Sequence, residues 1–268
     1  MNRGILIFAF NNEQIDYLAL AAWTTDNIHR RLNVPVAVVT DITDIPGHYK
    51  FDKVIHTAAA EPTSRGFQDI TGPVQWYNGN RVDAYALSPW DQTVVLDADY
   101  VVASNQLLLL FDSTQDFLSH RLAYDVTGSQ PFTDVNWFGV YSMPMWWATV
   151  MMFRRSTTAD LIFQSMQMIR KNWKHYRDLY KISEATYRND YALSIALGIV
   201  NGHTLNHPSI PWELATLTSA HSLEYIDQDC YKVIFKDTND NQKWIQIKDQ
   251  DFHAMGKKHL GEIVANSK

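Results

Sequence analysis

The stretch "QTVVLDADYVV" (residues 92–102) sets Thr93, Val94, Val95 and Leu96 ahead of Asp97 and resumes an apolar run at Tyr100. A short run of β-branched and aliphatic residues reads as a strand covered on both faces. The runs before it share that character. "GILIFAF" (4–10), "VPVAVVTD" (34–41) and "FDKVIHT" (51–57) read as strands, and "DYLALAAWTTDNIHRRL" (16–32) has helical spacing with basic residues in its last turn. Strands alternating with helices predict an α/β fold with a mostly parallel central sheet flanked by helices.

Further along, a stretch rich in Gly, Pro and Thr at 58–74 predicts a loop, and "WYNGNRVDAYALS" (76–88) predicts a helix stopped by Pro89. "WWATVMMFRR" (146–155) reads as a strand and 157–181 and 188–200 as helices. "YKVIFKDTNDNQKWIQIK", from Tyr231, reads as a hairpin turning at Thr238–Asn241. No internal repeat, low-complexity tract or linker interrupts the chain. The expectation is one α/β domain over 1–268 with a small β-rich appendage from residue 223.

The 268 residues are 46% hydrophobic and 13% aromatic, ample for a packed core. A net charge of −6 argues against nucleic acid or an anionic membrane as the general partner. One segment runs the other way: 153–190 carries eight Lys/Arg against four acids. The lone cysteine, Cys230, leaves no intramolecular disulfide or cysteine metal cluster and suits a reducing compartment. The opening "MNRGILIFAFNNEQ" is short for a signal-peptide core and lacks a small-residue cleavage site. The longest apolar stretch, "MPMWWATVMMF" (143–153), falls well short of the roughly 20 residues a membrane helix needs. A cytoplasmic protein with no membrane partner is expected, in the host cytoplasm if the chain is viral.

Asp97 and Asp99 stand at or just past the carboxyl end of the strand that opens the 92–102 stretch, where open α/β sheets bind ligands. If the strand geometry continued, both carboxylates would point to one face. Two adjacent carboxylates repel unless a cation joins them. A hard divalent ion, Mg²⁺ or Mn²⁺, answers that need and keeps positions open for phosphate oxygens. A surface turn with solvated or helix-capping aspartates is the plainer alternative, but the flanking apolar residues would then bury carboxylates without a partner.

Two families share the local pattern. "DADYVV" fits the nucleophile motif of haloacid-dehalogenase-like phosphatases, in which Asp97 would attack phosphorus. That motif normally ends its domain's first strand, whereas three strands precede it here, and the Gly-Asp-x-x-x-Asp metal motif that should follow is absent. "RVDAYALSPWDQTVVLDADYVV" (81–102) resembles the segment of GT-A-fold glycosyltransferases in which an Arg-bearing helix, a Pro-containing turn and a strand lead to Asp-x-Asp. The resemblance is strongest to glycosyltransferase family 8, the glycogenin- and galactosyltransferase-like group, and admits a phage-type member. "ILIFAFNNEQIDYLALA" (5–21) is similar to that family's first strand and nucleotide-binding turn, and "ATVMMFRRS" (148–156) to its Gly-Val-Met-Leu-Phe-Asn strand. "RNDYALSIAL" (188–197) is similar to its Asp-Gln-Asp-x-Leu-Asn helix start, and "DFHAMGKKH" (251–259) to its C-terminal His-x-x-Gly-x-x-Lys.

The resemblance implies a GT-A, Rossmann-like fold. It divides the chain into a nucleotide-sugar half (1–102), an acceptor half (103–222) and a C-terminal hairpin and metal-ligand segment (223–268). It implies Mn²⁺ or Mg²⁺ held by Asp97, Asp99 and His253, with Asp97 also on the ribose and Asp99 bridging metal to diphosphate. Gly256 would let the backbone approach the diphosphate. The family's lysine would fall at position 259, where this chain has His259, so the contact is open among Lys257, Lys258 and His259. Phe10, Asn11 and Tyr17 would line the nucleotide, Tyr17 by stacking, and Arg81 would reach a phosphate or the donor sugar. Asp190 would act on the acceptor side, positioning its hydroxyl or serving as a base, and Asp99 joins it at the reaction centre.

The implied activity is transfer of a sugar, with retention, from a nucleotide sugar such as a UDP-sugar to a carbohydrate or other hydroxyl acceptor. Trp137, Trp146, Trp147 and Trp212 fall in the acceptor half and are candidate platforms. With the basic 153–190 segment they admit a second acceptor, a hydroxymethylated DNA base of the kind some phages glycosylate, against which the acidic total argues. A non-catalytic nucleotide- or glycan-binding module on the same fold is the third class.

Overall fold

The computed structural model describes residues 2–67, 70–129, 136–204, 206–227 and 229–266. Its first half runs β1 (Arg3–Phe8), α1 (Tyr17–Leu32), β2 (Val36–Thr40), β3 (Lys53–His56), β4 (Thr63–Phe67), β5 (Ile70–Trp76), a 3₁₀ turn (Asn78–Asp83), α2 (Ala84–Leu87), β6 (Gln92–Asp97) and β7 (Tyr100–Val101). Then follow α3 (Leu108–Phe111), β8 (Phe117–His120), β9 (Ala123–Asp125), β10 (Trp137–Phe138), β11 (Met143–Pro144), β12 (Trp147–Arg154), α4 (Thr157–Lys171), α5 (Trp173–Leu179) and α6 (Asn189–Val200). The chain closes with β13 (Leu214–Leu217), β14 (Ser222–Asp227), β15 (Cys230–Lys236), β16 (Gln242–Lys248), β17 (Phe252–Ala254) and α7 (Lys257–Asn266).

The central sheet has the order β3-β2-β1-β6-β12-β8. β1, β2, β3 and β6 are mutually parallel, while β12 runs antiparallel to both β6 and β8. The expected mixed α/β architecture with a mostly parallel sheet flanked by helices is thus present. β2 is buried along its whole length and β6 as far as Leu96, as strands covered on both faces require. Gly4 is demanded by close packing, since a Cβ there would come within 2.3 Å of the Trp90 indole.

Helix boundaries follow local chemistry. The Asp16 carboxylate accepts the Ala19 N–H at 2.9 Å and starts α1, and Asn33 ends it in the left-handed region at φ 50°. Ser156 caps α4 through the Ala159 N–H at 3.2 Å. No helix among the described residues is long and apolar enough to cross a membrane.

Several expectations give way. The 58–74 loop contains the β4–β5 hairpin, paired from Thr63↔Trp76; its Gly and Pro residues hide an extended ladder. Trp76 therefore closes a strand, and the helix expected over 76–88 is a 3₁₀ turn followed by a single α-helical turn. The 157–181 helix breaks at Asn172, which caps α4 and precedes α5. The strand over 92–102 ends at Asp97, and Tyr100–Val101 joins a second sheet ordered β7-β17-β13-β9. The C-terminal hairpin is found as β15–β16 and gains a third strand, β14. The Asp237 carboxylate closes its turn by accepting the N–H groups of Asn239 and Asn241, both at 2.9 Å.

Candidate functional site

Parallel pairing sets the site's floor. β1 and β6 run in register to Phe8↔Asp97, so Asp97 emerges at the carboxyl end of the sheet. The chain then turns through Ala98 and Asp99 and leaves as β7. The buried Thr24 hydroxyl on α1 donates to the Ala98 carbonyl at 3.2 Å and pins this corner. β17 lies antiparallel to β7 with His253 opposite Tyr100, and the Ala254 N–H donates to the Asp99 carbonyl at 3.0 Å. A strand from the far end of the chain thus carries its imidazole to the aspartates.

Asp97, Asp99 and His253 each present a ligand atom, and these atoms lie within 4.8 Å of one another. His253 Nε2 is 3.4 Å from Asp99 Oδ2 and 4.0 Å from Asp97 Oδ2. Burial pushes the His253 pKa down to about 4, with Arg81 and Arg188 acting the same way against the pull of Asp190. The imidazole is therefore neutral at pH 7 and keeps a lone pair, as a metal ligand must. Its Nδ1 is buried with no hydrogen-bond partner among the described residues. Two carboxylates and a neutral imidazole make a fitting donor set for a divalent cation.

Two cations already bind the aspartates. Arg81 pairs with Asp97 Oδ1 and donates to the Ala148 carbonyl at 2.9 Å, and the Lys257 ammonium pairs with Asp99 Oδ2. A third pair stands opposite, where Arg188 meets Asp190 Oδ2 at 2.7 Å. The other Asp190 oxygen accepts the Ala148 N–H at 3.0 Å. All six groups line one cleft, so its acids and bases balance.

Of the residues picked from sequence, Phe10, Tyr17, Arg81, Asp97, Asp99, Asp190, His253 and Lys257 share this cleft. Four lie apart from its lining. The Asn11 side chain accepts the Leu18 N–H and donates to Asp16, both at 2.9 Å, so it serves the entry to α1. Gly256 is buried, its carbonyl accepting the Leu260 N–H at 3.2 Å, and Lys258 points outward from α7. His259 faces Glu262 at 3.6 Å. Asp190 is the second residue of α6, after Asn189, and so is not its N-cap.

The aromatic platforms differ from expectation. Of the four acceptor-half tryptophans, Trp147 lines the cleft. Trp146 packs on His207, Trp212 on His120, and Trp137 lies under the Arg121 guanidinium. Trp76 and Tyr77 line the cleft, although the spacing over 76–88 predicts a helix there. Arg188 and Asn189 also face it, the Asn189 side chain accepting the Tyr187 hydroxyl at 3.1 Å. Arg188 stands where the family 8 pattern has its first Asp, and that polarity reversal was readable in "RNDY".

Solved glycosyltransferases are similar to this chain in part. The galactosyltransferase LgtC, crystallised with donor and acceptor sugar analogs, shares 12% identity over 74% of this chain and 70% of its own, at TM-score 0.46. GlyE of Streptococcus pneumoniae shares 14% identity over 78% of this chain and 45% of its own, at TM-score 0.42. Mouse xyloside xylosyltransferase 1 shares 14% identity over 76% of this chain and 83% of its own, at TM-score 0.44. No protein-family model matches the chain, and no curated protein does. At these values the likeness assigns neither chemistry nor substrate.

Proposed function

We propose that the chain is a divalent-metal-dependent glycosyltransferase that moves a sugar from a nucleoside-diphosphate sugar, UDP-linked by the family resemblance, to a hydroxyl acceptor with retention. The observation that carries this reading is the meeting of Asp97, Asp99 and His253 at the carboxyl end of a parallel sheet, in one cleft with Lys257. Mn²⁺ suits the mixed oxygen and nitrogen donors better than Mg²⁺, which prefers oxygen alone. When bound, the ion supplies Lewis-acid stabilisation of charge developing on the diphosphate leaving group.

The chain's own groups take the remaining tasks. Tyr17 and Phe10 offer apolar surface to the base, and Arg81 orients the Asp97 carboxylate. Lys257 stands ready for the diphosphate. Asp190, held by Arg188 and by the Ala148 N–H, positions the acceptor hydroxyl. Trp76, Tyr77 and Trp147 give faces on which a sugar stacks, which favours a carbohydrate acceptor. A hydroxymethylated DNA base is the second acceptor reading, drawing on the exposed Lys171, Lys174 and Lys181. Acceptor binding that weakens steeply with salt would select it.

A thermal-shift screen of nucleotide sugars with and without Mn²⁺, repeated on Asp99→Ala, tests the reading. UDP or a UDP-sugar stabilises the wild type only with Mn²⁺, and not the variant. Stabilisation indifferent to both metal and Asp99 overturns it. Beryllium fluoride trapped on Asp97 would instead select the phosphatase reading, and donor binding without transfer or slow donor hydrolysis the binding-module reading.

A further inference from the structure

We infer that Lys257 is a built-in stand-in for the metal on Asp99, so that metal and nucleoside diphosphate each bind weakly alone and tightly together. This rests on the glycosyltransferase reading and adds a rule of assembly to it. The two cations on the aspartates are not equivalent. Arg81 engages Oδ1 of Asp97, while Oδ2 of that carboxylate turns toward His253. Lys257 engages Oδ2 of Asp99, the same atom that faces His253 Nε2 at 3.4 Å. Arg81 is therefore compatible with an ion between the carboxylates and the imidazole, whereas the ammonium of Lys257 competes for the Asp99 oxygen that such an ion would use.

Burial makes the conflict severe. The Asp99 and Lys257 side chains are 5% and 8% exposed, so little water screens a divalent ion from an ammonium on the same oxygen. Metal entry must displace the ammonium. Lys257 is the first residue of α7 and lines the cleft, and its unbranched stem can swing. The cleft's three acids and three bases already balance, so a divalent cation arriving alone leaves unmatched positive charge. An anionic diphosphate restores the balance and gives the displaced ammonium a new partner. The lysine thus reaches the leaving group once the metal has taken Asp99.

Mn²⁺ titrations followed by electron paramagnetic resonance and by calorimetry, with and without UDP, test this on the wild type, Lys257→Met and Lys257→Gln. In the wild type, UDP should tighten Mn²⁺ binding by at least about tenfold, and Mn²⁺ should tighten UDP binding by the same factor. Both variants should bind Mn²⁺ alone about tenfold more tightly than the wild type and lose most of the coupling. Folded variants, checked by near-ultraviolet circular dichroism, that bind Mn²⁺ alone no better than the wild type overturn the inference. If the wild type binds Mn²⁺ and UDP together but coupling survives in both variants, only the lysine's role falls. If it binds neither, even in combination, the glycosyltransferase reading falls with it.

Discussion

Arg81 and Asp97 form an ion pair on the floor of the cleft, their side chains 3% and 16% exposed, and the same guanidinium donates to the Ala148 carbonyl at 2.9 Å. One arginine from the 3₁₀ turn thereby joins the end of β6 to β12. Removing it leaves a carboxylate largely out of water without its cation. Arg81→Ala should destabilise the fold by about 3 kcal/mol, the scale for breaking a buried pair. Arg81→Lys should recover part of this, because an ammonium lacks the planar fork that serves two acceptors at once. Urea denaturation of both variants measures the difference.

Asp99→Asn keeps shape and removes charge. Mn²⁺-dependent stabilisation by UDP should disappear, and turnover of the matching donor should fall by about 10²-fold or more, the scale for losing an electrostatic contact at a reaction centre. Lys258→Ala, altering an outward-facing residue of α7, should leave Mn²⁺ and UDP affinities at wild-type values. Equal losses from Lys258→Ala and Lys257→Met would reassign the diphosphate contact.

Tyr17 and Trp76 should separate by substrate. Tyr17→Ala should weaken UDP binding by about 1 kcal/mol, the low end for losing one base stack. Trp76→Ala should leave UDP affinity unchanged and raise the KM for the acceptor. Calorimetry with UDP and steady-state kinetics with a transfer-competent acceptor distinguish the two. Matching effects of both variants on UDP would put Trp76 on the nucleotide.

His120 supplies a pH signature from a residue outside the cleft's lining. It is fully buried, its Nδ1 is 3.0 Å from the Trp212 carbonyl, and burial pushes its pKa down to about 4. The unfolded chain takes up this proton near pH 6.5 and the folded chain near 4, so stability is complete above about 6.5 and is lost as pH falls toward 4. The contribution is at most about 3 kcal/mol. Urea midpoints from pH 4 to 7 should show that slope, and His120→Gln should reduce it, with His207 and His253, whose pKa values burial also lowers to about 4, supplying the rest.

Much of the frame was legible in the residues alone. β1, β2 and β6 are apolar runs that must be covered on both faces, and the segment between β1 and β2 has helical spacing, so the parallel sheet follows from hydrophobic periodicity. Local signals hid the β4–β5 hairpin, where Gly72 and Pro73 sit inside the paired strand. A 3₁₀ turn kept enough of helical spacing to pass for a helix at 76–88.

By itself, the sequence determined that Asp97 and Asp99 close an apolar strand at the ligand end of an α/β sheet, because chain order and burial preference dictate that placement. Only the tertiary structure decided which atoms they meet. The strand ends at Asp97, and a turn hands Asp99 to a second sheet, where β17 brings His253 alongside. α7 then sets the Lys257 ammonium on the carboxylate oxygen facing that imidazole. Such meetings depend on pairing between segments far apart in the chain, and residue spacing carries no record of them.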